Sequence, residues 1–230
     1  MTMNPAPGPA RSGTDRKHLT QTAAPWVPEH ADMEDLRQAA TECRGCELWK
    51  PATQVVFSAG NPKAPLALVG EQPGDVEDRK GIPFVGPAGR LLQDALDEAG
   101  VSREDVYVTN AVKHFRFTER GKRRIHATPQ VAHIKACLPW LEAELTLVDP
   151  ALIVCLGATA ARALLGSSFR VTKQRGQVLE LATPVGVHPV LATVHPSAVL
   201  RATGDDRDEA FAGLVADLRT ARDAVTRQER

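Results

Sequence analysis

The sequence has few aromatic residues and no excess of charge of either sign. Phe, Trp and Tyr make up 4% of its 230 residues, and 28 Lys and Arg balance 28 Asp and Glu. Since a strong overall positive charge is what attracts a protein to any polyanion, the chain is not expected to bind nucleic acid indiscriminately. It also has no run of 18 apolar residues, so no membrane contact is expected.

The first 30 residues lack the apolar segment of a secretory signal. They are rich in Pro, Ala, Thr and Gly, a composition that buries too little apolar surface to fold. We therefore expect residues 1–30 to be a disordered extension and residues 31–230 to form a single domain of a cytoplasmic protein.

Beyond residue 30, short apolar runs alternate with amphipathic stretches. Strands are predicted at 65–71, 105–112, 151–157, 177–181 and 189–195. Helices are predicted at 31–43, 88–100, 129–147, 158–166 and 207–225. This alternation indicates an α/β domain in which helices cover both faces of a central, mainly parallel sheet, a three-layer α/β/α fold. Ligands of such sheets bind at the carboxyl ends of the strands, where segments 70–86, 110–126 and 195–201 fall.

These segments contain side chains suited to binding a flat polar molecule. Glu71 and Gln72 begin a turn rich in Gly and Pro whose backbone N–H groups can hold a carbonyl or an anion. Phe84 suits either a stacking platform or a core position. The amide of Asn110 can read one edge of a pyrimidine or cap a strand end. The segment HPSAVLRA, from His195, places an imidazole beside a hydroxyl.

The chain has four cysteines, of which Cys43 and Cys46 form a C-x-x-C pair and Cys137 and Cys155 lie far along the chain. Disulfides are not expected in a cytoplasmic protein, so the pair favours a metal centre. The spacing does not distinguish zinc from an iron–sulfur cluster, and Cys155 also suits a plain core position.

Positive charge is concentrated in what reads as a loop before His126. Six Lys or Arg oppose a single acid there, namely Lys113, Arg116, Arg120, Lys122, Arg123 and Arg124. Such a stretch can grip phosphate or simply be solvated. The adjacent His126 is then a further phosphate donor, a spacer or a reactive group, whereas His114 has no evident role.

In their order along the chain, these motifs resemble the uracil-DNA glycosylase superfamily on its iron–sulfur, family 4-like branch. The resemblance rests on GEQPGD, GIPFVGPAGRLL, VTNAVK, VHPSAVLR and the cysteines, over about residues 32–222. The KRRIH stretch resembles the UdgX type, which ends covalently linked to uracil-containing DNA.

The resemblance implies cleavage of the bond between uracil and deoxyribose C1′ after the base has turned out of the stack. His195 would donate to uracil O2, Phe84 would stack on the base, and Asn110 would read its edge. Gly74 and Asp75 would exclude the methyl group of thymine.

The remaining implied contacts are to DNA and to a cofactor. Ser197 and the segment from Val199 to Arg201 would touch the phosphate and fill the emptied stack. A structural 4Fe–4S cluster would be held by Cys43, Cys46, Cys137 and Cys155. The expected partner is uracil-containing DNA. Single-stranded DNA is the first expectation and double-stranded DNA is the alternative, and we expect the protein to bind as a monomer.

Gln72 departs from the pattern, because well-known relatives carry there an aspartate that activates the attacking water. Glutamine cannot act as a base, whereas a neutral imidazole is a good nucleophile. We therefore expect His126 to attack C1′, with Lys122, Arg123 and Arg124 holding the strand. The alternatives are a turnover glycosylase whose water is activated by Glu71, and an iron–sulfur DNA-binding module without catalysis.

Overall fold

A computed structural model describes residues 22–183 and 186–228 of the chain. Within them, a six-stranded sheet has the order β1-β3-β2-β6-β8-β7, and β4 and β5 form a separate hairpin. The strands are β1 (Ser58–Gly60), β2 (Leu66–Gly70), β3 (Val106–Asn110), β4 (Phe117–Arg120), β5 (Arg123–His126), β6 (Leu152–Leu156), β7 (Val178–Thr183) and β8 (Gly186–Thr193). The four central strands are parallel, and the edge strands β1 and β7 run antiparallel to their neighbours.

Helices cover both faces of this sheet. They are α1 (Met33–Ala40), α2 (Asp75–Lys80), α3 (Pro87–Ala99), α4 (Val131–Val148), α5 (Ala158–Leu165), α6 (Val171–Gln174), α7 (Pro196–Arg201) and α8 (Asp205–Gln228). One core joins the sheet to α3, α7 and α8, and a second joins its other face to α4 and α5. Burial on both faces explains why β2, β3 and β6 are buried along their whole length. The predicted three-layer α/β/α fold is confirmed.

The structure differs from the sequence prediction at the start of the domain. Residues 1–21 lie outside the described residues, but the expected disorder does not extend to residue 30. Ala24–Trp26 form a short 3-10 helix, and the buried Ala23 donates its N–H to the Ala136 carbonyl at 2.7 Å. In the described part of the chain, no helix has both the length and the apolar character needed to cross a bilayer.

The basic stretch forms an antiparallel hairpin and not the expected loop. Phe117 of β4 lies opposite His126 of β5, and Arg120 lies opposite Arg123. Gly121 supplies the left-handed conformation of the turn, with φ of 60°. This register places His126 at the base of the hairpin and Arg120, Lys122 and Arg123 at its tip.

Gln72 fastens the base of the hairpin to the loop after β2. Its Nε2 donates to the carbonyls of Arg116 and Ala127 at 3.1 and 3.2 Å, and its Oε1 accepts from the Arg116 N–H at 3.1 Å. Only an amide can make all three bonds, because a carboxylate accepts and does not donate. The residue that departs from the family pattern therefore holds both ends of the hairpin.

Arg124 makes a second attachment, to helix α2. Its Nε donates to Asp75 Oδ1 at 2.5 Å and its Nη1 donates to Asp78 Oδ2 at 2.7 Å. The guanidinium also lies over the ring of Phe117, 5.0 Å from its centroid. The Arg124 side chain is 14% exposed, so this cation belongs to the hairpin's attachment.

The attachment through Gln72 is testable by proteolysis. Gln72→Ala removes three hydrogen bonds, each worth about 1 kcal/mol, so the hairpin should open about 100-fold more often and trypsin should cut after Lys122 or Arg123 correspondingly faster. Gln93→Ala is the matched control, since that amide bonds only to Asp97 on its own helix. Equal cleavage rates in both variants and the parent would contradict the attachment.

Candidate active site

The carboxyl ends of the four central strands border one open cleft of about 680 Å³. Gly70 pairs with Asn110 and Leu156 pairs with Thr193, so the loops after these strands all begin at one edge. The cleft contains most of the site residues predicted from the sequence, namely Glu71, Gln72, Gly74, Phe84, Asn110, His126, His195, Ser197 and Arg201.

Asn110 and Phe84 form one wall of this cleft. The Asn110 side chain is buried, and its amide has no hydrogen-bond partner among the described residues, which leaves it available to a ligand. Gly70 lies against both side chains, because a Cβ at this position would overlap Asn110 Oδ1 and approach Phe84 Cζ to 2.7 Å. The Asn110 amide and the Phe84 ring can therefore occupy these positions only because residue 70 has no side chain.

The backbone of Phe84 is strained. Its φ of 56° lies in the left-handed region that non-glycine residues avoid. The surrounding loop is fixed on two sides: a Cβ on Gly89 would overlap the Phe84 carbonyl, and buried Glu77 accepts from the Gly86 N–H at 2.8 Å. The ring packs at 29° to that of His195, with centroids 6.3 Å apart. Strain maintained in this way is typical of ligand-binding positions.

His195 is held as a neutral donor. It precedes α7, and its Nδ1 accepts from the Ser197 backbone N–H at 3.1 Å. Because that N–H can only donate, the proton of the neutral ring resides on Nε2. Burial, with smaller contributions from the nearby His126 and Arg201, lowers the pKa of His195 to about 4. The imidazole can therefore donate a hydrogen bond without carrying charge at neutral pH.

His126 and Glu71 face each other at the cleft. Nε2 of His126 lies 3.4 Å from Glu71 Oε1, and the other carboxylate oxygen accepts from the hydroxyl of Thr159 at the start of α5. Partial burial lowers the pKa of His126 below 6.5; Glu71 opposes this shift and Arg201 adds to it. The result is a neutral imidazole beside a carboxylate that a hydroxyl holds in place.

Several predicted contacts lie away from the cleft. Asp75 does not line it, because its carboxylate binds Arg79 and Arg124. Arg124 is correspondingly occupied, in contrast to the expectation that it grips phosphate. Lys122 and Arg123 are exposed at the hairpin tip, and they make no ion pair within the described residues.

A second cavity lies at the α1 and α4 side of the fold. Three of the cysteines and one histidine line it, namely Cys43, Cys46, Cys137 and His114. Cys155 is not among them, because it occupies the middle of β6 and packs in the core against α4 and α5. This placement differs from the sequence prediction, which took Cys155 as the fourth ligand and gave His114 no role.

The pKa values of the thiols also distinguish the cysteines of the cavity from Cys155. Burial is the main cause that raises the pKa of Cys46 to about 11 and that of Cys137 to about 12, and other cysteines of the cavity contribute to both values. Burial alone raises the pKa of Cys155 to about 12. Burial also lowers the pKa of His114 to about 4, so its ring is neutral, as metal ligation requires.

The donors around this cavity fit an iron–sulfur cluster. Cys43 Sγ accepts from Trp140 Nε1 and Cys137 Sγ accepts from the Lys113 N–H, both at 3.3 Å, and such bonds to sulfur are typical of clusters. Among the described residues, no three His, Cys, Asp or Glu side chains are grouped closely enough for a single metal ion. A 4Fe–4S cluster differs from a single ion because each of its protein ligands binds a separate iron atom.

Two residues that support the cleft, Thr159 and Glu77, were not predicted from the sequence. Thr159 follows β6 by three residues and Glu77 lies in a stretch predicted as loop, so only their position near strand ends marked them. The polar pairing of Gln72 with the hairpin depends on a tertiary contact that spacing does not reveal.

Comparison with known proteins relates this arrangement to a family. Residues 57–219 match the uracil DNA glycosylase superfamily. The type-4 uracil-DNA glycosylase of Thermotoga maritima is 38% identical over 170 residues, covering 74% of this chain and 83% of that protein. That of Archaeoglobus fulgidus is 37% identical over 172 residues, covering 73% and 83%, and that of Pyrobaculum aerophilum is 37% identical over 174 residues, covering 74% and 85%. With this extent of similarity and a cleft at the expected strand ends, the chain belongs to the uracil-DNA glycosylase superfamily.

Proposed function

We propose that this protein excises uracil from DNA and stays covalently attached to the resulting sugar through His126. Uracil excision is supported by the type-4 uracil-DNA glycosylases among its relatives. The covalent step is carried by one observation, the neutral imidazole of His126 beside Glu71 at the cleft.

In this proposal, the cleft takes a uracil that has turned out of the DNA stack. The base stacks on Phe84, and the Asn110 amide donates to O4 and accepts from N3–H. Cytosine presents an amino group and an unprotonated N3 at these positions and is rejected. Gly74 lines the cleft and stays the candidate for excluding thymine, whereas Asp75 points elsewhere.

Bond cleavage sends an electron pair from the C1′–N1 bond into uracil. The developing negative charge on O2 accepts a hydrogen bond from Nε2–H of His195, which stabilises the departing anion. The sugar acquires oxocarbenium character, as in the hydrolysis of other glycosides.

His126 then captures C1′ with the lone pair of one ring nitrogen. Bond formation makes the ring an imidazolium, and Glu71 accepts the proton of its other nitrogen, held for this by Thr159. Gln72 cannot activate a water because its amide is not basic and is bound to the hairpin. The bond between C1′ and nitrogen therefore persists, and each molecule acts once.

Phosphate contacts would flank the cleft on two sides. Lys122 and Arg123 extend from the hairpin tip. Ser197 and Arg201 both belong to helix α7, where Arg201 Nη1 donates to Ser197 Oγ at 3.2 Å. Such contacts bring affinity for single- or double-stranded DNA without reading its sequence. Arg124 is assigned to the hairpin's attachment instead.

We also propose a 4Fe–4S cluster on Cys43, Cys46, Cys137 and His114. When bound, the cluster supplies a rigid cross-link and no chemistry to the reaction, because its cavity is separate from the cleft. These residues would join the chain before β1, the segment after β3 and helix α4.

The nucleophile is tested with uracil-containing oligonucleotide and a denaturing gel. His126→Ala should reduce the heat-stable protein–DNA band by at least about 100-fold, since no other group replaces the imidazole. His126→Ser leaves room for water and should release uracil over repeated turnovers. As control, Lys122→Ala should still cross-link, with weaker DNA binding whose dependence on salt is less steep than the parent's, because one phosphate contact is lost. A heat-stable adduct of His126→Ala would refute the assignment.

The same reaction should depend on pH through His126. Only the neutral ring attacks, and its folded pKa lies below 6.5, so the rate should be level above pH 6.5 and should fall at lower pH as the ring gains a proton. A single-turnover rate measured against pH tests this, and a rate that rises on acidification would contradict it.

The uracil pocket is tested at Gly70. In Gly70→Ala, the new Cβ displaces Asn110 or Phe84, and a misplacement of about 1 Å can cost about 100-fold in rate. Uracil excision should fall accordingly while binding to uracil-free DNA stays unchanged. Gly213→Ala is the control, because its Cβ meets only the movable end of Arg175. Full activity of Gly70→Ala would exclude this pocket.

The cluster ligands are tested by iron and sulfide analysis of purified variants. Cys155→Ala should keep the parent's iron content and brown colour, and His114→Ala should lose iron because one ligand is gone. The reverse outcome would restore Cys155 as the ligand, and colourless parent protein with stoichiometric zinc would refute the cluster.

A further inference from the structure

Lys113 and Glu144 form an ion pair that solvent does not reach. Their side chains are 1% and 0% exposed, and neither lines the cleft. A buried ion pair is often no more stabilising than a well-packed apolar pair of the same size. Stability alone therefore does not account for two charges at this place.

A chain of hydrogen bonds fixes the carboxylate of the pair. The hydroxyls of Tyr107 and Thr109, both on β3, donate to Glu144 Oε1 at 2.7 and 2.9 Å. Glu144 belongs to α4, so these bonds tie the helix to the strand that ends at Asn110. Each polar group in this network has a partner, which restricts its side chains to one arrangement.

The ammonium of Lys113 uses its three N–H groups on three acceptors. One donates to Glu144 Oε2, a second to Thr109 Oγ1 at 2.6 Å, and the third to the backbone carbonyl of Asn110 at 2.9 Å. The Asn110 side chain projects from the same residue into the cleft, where no described residue bonds to it. Nζ also lies 5.1 Å from the centroid of the Phe57 ring.

We propose that Lys113, held by Glu144 and Thr109, is a positioning residue for Asn110 and so sets the protein's selectivity for uracil. The inference rests on the proposed function, in which Asn110 reads the base. A charged donor holds a carbonyl about twice as strongly as a neutral one, and it fixes the residue from which the reading amide extends. The amide then meets uracil already oriented, without ordering at the moment of binding.

The test compares variants of the whole protein on two DNA ligands. Lys113→Met/Glu144→Gln removes both charges and leaves no unpaired charge in the interior. Its single-turnover rate of uracil excision should fall by about 10- to 100-fold. Its affinity for DNA carrying a base-free tetrahydrofuran site should stay within about twofold of the parent's, because that DNA offers Asn110 nothing to read.

Tyr107→Phe is the matched control from the same network. It removes one hydrogen bond to Glu144 but keeps the contact between Lys113 and Asn110, so its excision rate should equal the parent's even where its melting temperature falls. Equal losses of rate in both variants would show general destabilisation and overturn the proposal. A double variant with the parent's rate would overturn it as well.

The test also gives a clear result if the double variant does not fold or if the parent is inactive. If the double variant does not fold, Thr109→Val decides: it removes one acceptor of Lys113 with little change of shape, and it should slow excision several-fold while binding to base-free DNA stays unchanged. A parental rate for Thr109→Val would overturn the proposal. If the parent itself releases no uracil, the proposed function fails, whereas an active parent with unaffected variants refutes only the role of Lys113.

Discussion

Strands β2 and β3 end side by side, and Gly70 lies so close to Asn110 and Phe84 that no Cβ fits between them. The remaining parts of the cleft are arranged around this contact. The backbone of Phe84 is strained there, and His195 packs against the Phe84 ring. The hairpin brings His126 to the cleft. The site thus depends on close backbone packing, which a rigid parallel sheet can maintain.

Two cations of this protein hold backbone segments in place, and neither is free for DNA. Arg124 is shared between Asp75 and Asp78 and attaches the hairpin to α2. Lys113 is paired with Glu144 below the end of β3. Both lie in the basic stretch that the sequence marks as a phosphate grip, so a count of positive charges overstates the surface available to nucleic acid. At the tip of the hairpin, Lys122 and Arg123 stay exposed and without an ion pair among the described residues.

The central sheet was predictable because both of its faces are buried, which makes β2, β3 and β6 continuous apolar runs. The hairpin was not predictable, because its strands FTER and RRIH are mostly exposed. Gln72 and Arg124 hold them in place through tertiary contacts. The family resemblance implies Cys155 as the fourth ligand, whereas His114 joins the cavity through tertiary packing. The pairing of His126 with Glu71 joins residues 55 positions apart in the chain, which no local spacing indicates.

The segment before α1 has a consequence for how the cysteine cavity meets its surroundings. Ala23 lines that cavity, and Thr22 and Ala23 lie so near Gly45 that a Cβ there would come within 2.9 Å of their backbone. This short stretch therefore forms an outer wall over the sulfur atoms. A chain trimmed to begin at Asp32 would lose this wall and would admit water and dissolved oxygen to thiols that the longer chain shields.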